Sequence, residues 1–146
     1  MEVKNRLTPN EAQLKAFMES GDDAPIHMVN LLKFRENAEY ADGRASALTG
    51  EEAYGIYGEA VAGLLAKHGG GLMFSGKVEH LLLGEVEELW DSVAIAMYPS
   101  RKAMLEMVAS PEYQKIAVHR EAGLAGQLNI ETVNPTGLWL LQDRKG

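Results

Sequence analysis

The stretch IHMVNLLKF, Ile26 to Phe34, constrains the fold more than any other part of the chain. Apolar side chains fill both of its alternating rows, so it reads as a central strand that must be covered on both faces. The single amide within it, Asn30, lies in phase with Met28 and Leu32. A buried amide left without partners costs roughly 1–3 kcal/mol, so Asn30 bonds either to neighbouring backbone or to a ligand.

Elements on either side follow from their punctuation. Thr8-Pro9-Asn10-Glu11 reads as a capping box with proline at the first helical position, and Leu14, Phe17 and Met18 share a face up to a helix end near Ser20 and Gly21. Residues 35–48 have no clear period and read as a loop. Thr49-Gly50-Glu51-Glu52 is a second capping box, opening a helix that carries Ala53, Ile56, Tyr57, Ala60, Val61, Leu64, Leu65 and His68 at helical spacing, stopped by Gly69-Gly70-Gly71. Leu72 to Glu85 reads as extended, with bends at Gly76 and Gly84. Its antiparallel partner is Leu89 to Tyr98, reached by a tight turn at Glu87-Glu88. Ser100 caps a short helix, the Ser110-Pro111 break restarts it as far as about Gly123, and Leu128–Val133 and Leu138–Leu141 are two further short strands.

The order after the first helix is β, α, β, β, α, β. That is an α+β, ferredoxin-like antiparallel sheet with helices on one face. The whole chain, 1–146, reads as one domain: a helical extension at 1–24, a ferredoxin-like core at 26–133, and a strand or tail at 134–146. With helices on one face only, the apolar second face predicts a homodimer formed by the same face of another copy.

Composition narrows the function. A chain of 146 residues with 46% hydrophobic content holds a real core. A formal charge of −7 argues against nucleic acid or an anionic membrane surface as partner. Without cysteine there is no thiolate ligand, disulfide or Cys nucleophile. No signal segment or membrane span is visible, so the reading is a soluble, cytoplasmic protein. His27, His68 and His80 have no metal-ligand spacing, and no metal is expected.

HMVNLLKF, then EAYGIY, then WDSVAIAMYPSRKAMLEMVASPEYQ with a following HR, together resemble the DUF1330 family of the dimeric α/β-barrel superfamily, over roughly residues 26–133. The resemblance implies a ferredoxin-like fold and dimerisation. Relatives of that architecture include cofactor-independent monooxygenases and haem-degrading enzymes, which place substrate between sheet and helices. This raises the expectation of a small-molecule pocket at the level of fold only.

The candidate site residues come from the helical stripe Tyr113, Ile116, Ala117, Arg120, where a guanidinium shares the face that ought to meet the core. Arg120 either pairs with a carboxylate, Asp91 or Glu121, or grips an anionic substrate. His119 beside it is a possible proton-transfer group or a spectator. The expected catalytic set is His119, Arg120 and Asn30. Tyr54, Tyr57, Tyr98 and Tyr113 are expected to line the cavity, with Trp90 and Asp91 starting the third strand on opposite faces. The leading reading is a homodimeric small-molecule binding protein that works as an enzyme without a tightly bound cofactor on a small, anionic or aromatic metabolite. One alternative is a haem-degrading or quinol-type monooxygenase, implied by the resemblance of Asn30, Trp90 and His119 to the Asn, Trp and His used by haem-degrading relatives. Another is a non-catalytic dimer, with Arg120 paired to carboxylates and no pocket above about 300 Å³.

Overall fold

The computed structural model describes residues 6–19 and 23–137. The elements are α1 (Glu11–Glu19), β1 (Ile26–Phe34), α2 (Gly50–Lys67), β2 (Gly71–Lys77), β3 (Ser92–Tyr98), α3 (Arg101–Ala109), α4 (Pro111–Gly123) and β4 (Leu124–Thr132). The sheet order is β2-β3-β1-β4, with every neighbouring pair antiparallel. With its βαββαβ connectivity this is the ferredoxin-like arrangement, and β1 is an interior strand as its double apolar pattern requires. The sheet is open. Among the described residues no helix is long and apolar enough to cross a membrane.

The helices start where their caps dictate. The Thr49 hydroxyl accepts from the Glu52 N–H while the Glu52 carboxylate accepts from the Thr49 N–H, closing the capping box of α2. At the other end the His68 ring bonds the Leu64 carbonyl, and Gly69 turns away at φ +82°, a left-handed conformation that glycine adopts without a Cβ clash. Ser100 caps α3, and Ser110 both ends α3 and caps α4 with Pro111 behind it.

Register assigns every strand residue to a face. Ile26, Met28, Asn30 and Leu32 lie opposite Tyr98, Ala96, Ala94 and Ser92 on one side, and opposite Glu131, Asn129 and Gln127 on the other. This row meets the helices: Ile26, Met28, Ala96 and Tyr98 form the core with Leu65 of α2 and Met107 of α3. The alternate row, with Val29, Leu31, Val93, Ile95, Leu128 and Ile130, faces away from the helices and is half-buried or exposed.

Several boundaries differ from the sequence reading, each for a local reason. Helix α1 is capped by Asn10, not Thr8: the Asn10 side chain accepts from the Gln13 N–H at 2.7 Å and the Gln13 side chain accepts from the Asn10 N–H at 3.0 Å. Asparagine is the better cap, and Pro9 stands before the helix rather than within it. Strand β2 ends at Lys77 instead of Glu85, and its bulge falls between Leu72 and Phe74 rather than at Gly76. Residues 78–91 form a long connection, not a tight turn. The run Leu81–Leu83 has no alternation to pair as a strand, and those leucines are exposed. The connection is closed at its base by Val78 N–H to the Asp91 carbonyl, and by Lys33 reaching the Leu89 carbonyl and the Glu88 carboxylate. Trp90 and Asp91 therefore precede β3 instead of starting it. Strand β4 begins at Leu124, because the backbone passes straight from α4 into an extended conformation that pairs with Phe34. Ser20, Gly21 and the expected strand Leu138–Leu141 lie outside the described residues.

The first turn of α2 and the last turn of α4 meet through glycine. The Arg35 N–H donates to the Gly123 carbonyl at 2.8 Å. A Cβ on Gly123 would lie 2.8 Å from the Tyr54 nitrogen and would also overlap the Gly50 carbonyl oxygen. Gly123→Ala is expected to cost about 2–4 kcal/mol in urea unfolding, since only backbone movement can relieve that overlap. Gly55→Ala in α2, whose added Cβ meets nothing within 4 Å, should instead stabilise by about 0.5–1 kcal/mol.

Candidate functional site

Strand β4 carries its polarity on the unexpected side. In QLNIE the polar residues Gln127, Asn129 and Glu131 alternate with Leu128 and Ile130, and register turns the polar row toward the helices. Sheet faces packed on helices are ordinarily apolar, so the β4 flank of this face departs from the rule by carrying polar side chains.

Asn30 is the centre of that polar set. Its side-chain NH₂ donates to the Met28 and Ala94 carbonyls, each at 3.2 Å. Its Oδ1 accepts from Gln127 Nε2 at 2.7 Å and from Asn129 Nδ2 at 2.8 Å. Both donors and both acceptor positions are thus used. Because Gln127 gives its NH₂ to Asn30, its Oε1 is left facing α4, where it accepts from Arg120 at 2.6 Å. The same guanidinium nitrogen donates to the Leu7 carbonyl at 2.7 Å. Asn30 therefore sets Gln127, and Gln127 sets Arg120.

Arg120 stands in no ion pair among the described residues. The expected partners are otherwise placed. Asp91 accepts from the Phe34 N–H at 2.8 Å and lies 3.5 Å from Lys33, clamping the end of β1, and Glu121 is exposed. Glu131, the carboxylate in the polar row, is paired with the nearly buried Arg101. Among the described residues this half-buried guanidinium is held by a carbonyl and an amide and faces no carboxylate.

Tyrosines surround it. The Tyr57 and Tyr113 hydroxyls lie 3.1 Å apart, and the Tyr54 and Tyr57 ring centroids lie 5.3 Å apart with the planes tilted by 49°. Burial pushes the Tyr54 phenol up to about 12, and the charge of Arg120 works against that rise. Burial also raises Tyr57 and Tyr98 well above the ordinary phenol range, again opposed by Arg120. Tyr54, Tyr57 and Tyr98 thus lie within electrostatic reach of Arg120, Tyr113 bonds Tyr57, and Asn30 is linked to Arg120 through Gln127.

His119 does not join this group. One position along α4 is a rotation of about 100°, and the imidazole Nδ1 lies 2.7 Å from the Tyr40 hydroxyl, on the loop of residues 35–48. Trp90 stays in the connection before β3. Asn30, Trp90 and His119, the trio of the haem-degrading alternative, share no hydrogen-bond partner among the described residues. A cavity of about 360 Å³ lies elsewhere, where β1 and β2 finish, lined by Phe34, Arg35, Thr49, Lys77, Val78 and Asp91. Arg120 does not line this cavity, and among the described residues it lacks the carboxylate pairing that the non-catalytic alternative expects.

Sequence reasoning missed Gln127, Asn129, Tyr40 and Leu7. The alternation QLNIE was a visible signal for the first two, but a lone strand does not declare which of its rows meets the helices. Leu7 reaches Arg120, and Tyr40 reaches His119 outside that group, across long sequence separations that no local pattern encodes.

The family model described as "Domain of unknown function (DUF1330)" matches residues 38–132, a span that begins after β1 and includes Arg120, Gln127 and the four tyrosines. Among solved structures, the chain is similar to the methylated RPA0582 protein, at 34% identity and a TM-score of 0.82, covering 92% of this chain and 98% of that one. It is likewise similar to the RPA0582 protein of unknown function from Rhodopseudomonas palustris, at 33% identity and a TM-score of 0.79, covering 90% and 100%. An uncharacterized NIPSNAP domain protein from Burkholderia xenovorans is similar in fold alone, at 14% identity and a TM-score of 0.50, covering 76% and 94%. No curated protein matches the chain.

The buried phenols make stability depend on alkaline pH. An unfolded tyrosine ionises near pH 10, whereas Tyr54 holds its proton up to about 12 and Tyr57 and Tyr98 are raised as well. The phenols' contribution is complete below about pH 10 and is lost as pH rises through the folded values. Thermal melts should show a Tm that falls from about pH 10 upward, and Tyr98→Phe should flatten that fall. An unchanged slope in Tyr98→Phe would assign the alkaline loss to other groups.

Proposed function

The chain belongs to the DUF1330 family, a family of unknown function, and from that premise we propose that it is a homodimeric binding protein for a small carboxylate, preferably one with a flat ring. The carrying observation is Arg120, a half-buried guanidinium with hydrogen bonds but no countercharge among the described residues. A carboxylate supplies that charge and takes two parallel N–H bonds from the guanidinium, the strongest neutralisation such a group can receive.

The neighbours support the ring as well as the charge. Phenol faces at Tyr54 and Tyr57 offer edge or face contact to an aromatic body, and the Tyr57–Tyr113 hydroxyl pair offers a second polar contact. Asn30 acts through Gln127 to aim Arg120, so it is a positioning residue in this reading. Nothing in the arrangement specifies a bond to be broken, and the proposal is one of binding.

The second copy is argued from the other face. Val29, Leu31, Val93, Ile95, Leu128 and Ile130 form an apolar row with no helix over it. Covering such half-exposed side chains is worth roughly 1 kcal/mol each, and self-association about a twofold axis covers both copies at once.

Two measurements test this. In isothermal titration, benzoate should bind and benzyl alcohol should not, and Arg120→Gln should weaken benzoate at least about tenfold, with Arg120→Lys between the two. Equal benzoate affinity in Arg120→Gln would remove the guanidinium from the site. Light scattering should give twice the 16.0 kDa of one chain, and Ile95→Glu, which sets a charge in the apolar row, should give the mass of a single chain.

A further inference from the structure

Arg120 already holds an oxygen, and that oxygen belongs to the chain itself. The Leu7 carbonyl accepts from the guanidinium at 2.7 Å, and Arg6 pairs with Gln127 in an isolated antiparallel bridge. Strand β4 ends the sheet order, so this bridge lies along its free edge. The segment thus crosses the polar half of the fold and touches two members of the Asn30–Gln127–Arg120 chain.

Helix α1, next along the chain, is loosely held. None of its residues is buried. Leu14 and Met18 are exposed, and Phe17 is the residue of this helix that packs against the core, with the Arg101 guanidinium 5.8 Å from its ring. An element with few buried contacts opens locally at low cost.

On the reading of Arg120 as a carboxylate anchor, we infer that residues 6–19 form a strap that closes the site with a peptide carbonyl in the place of the ligand oxygen, so that ligand binding and strap closure exclude each other. A carboxylate displaces the carbonyl because a charged acceptor bonds a guanidinium more strongly than a neutral one. The strap lowers apparent affinity by the fraction of time it is closed, and it covers the guanidinium when no ligand is present.

Hydrogen exchange on the full chain tests this directly. Saturating benzoate should speed exchange of the backbone amides in residues 6–19. Phe17→Ala, which loosens α1 without touching the anchor, should bind benzoate about tenfold more tightly. Unchanged exchange in that segment, with Phe17→Ala binding benzoate as the parent does, would overturn the strap while leaving the Arg120 site intact, provided Arg120→Gln still loses binding. Benzoate binding to neither parent nor Phe17→Ala would overturn the site and the strap together. Should Phe17→Ala not fold, the exchange measurement on the parent chain decides alone.

Discussion

Strand β1 is hydrogen-bonded along both edges, and the rest of the structure takes its phase from it. Antiparallel pairing with β3 on one side and β4 on the other leaves no freedom to slip by one residue, because a slip would carry every side chain to the opposite face. That one register places three sets of side chains. Ile26 and Met28 enter the core beneath the helices, Val29 and Leu31 enter the uncovered row, and Asn30 enters the helix side among apolar neighbours.

The two faces of the sheet then differ in a way that a simple two-layer sandwich would not predict. The helix-covered side contains a tightly packed half around Met107, Tyr98 and Leu65, and a polar half around Asn30, Gln127 and Arg120. The uncovered side is uniformly apolar along its centre. Placing polar groups under cover and apolar groups outside is unfavourable for an isolated chain. In the function proposed above, a carboxylate against the polar half and a second copy on the apolar face would each relieve part of that penalty.

Order within the polar half is directional. Asn30 is saturated by four hydrogen bonds, and that saturation decides which way the Gln127 amide points, which in turn decides where the guanidinium is held. Such a chain keeps its geometry with no carboxylate paired to Arg120 among the described residues. A carboxylate in that place would neutralise the charge and end its usefulness toward an anion. Asp91 and Glu131 are instead engaged by Lys33 and Arg101, at the margins of the site.

Much of the fold was legible in the chain because local chemistry encodes it. The double apolar pattern of IHMVNLLKF made β1 interior, Thr49 with Glu52 started α2, Gly69 stopped it, and Ser110-Pro111 divided α3 from α4. Arg120 was recognisable as a charge on a core-facing stripe, and the tyrosines as side chains of the two helices and a strand end. Which partner Arg120 would find was not legible, nor that His119 would turn to Tyr40, nor that β2 would end at Lys77. Those outcomes depend on residues that are distant in sequence and become neighbours only when β4 takes its register against β1. Side-chain periodicity determines which residues share a face, but the face they share is chosen by the packing of the whole sheet, and only the tertiary structure makes that choice.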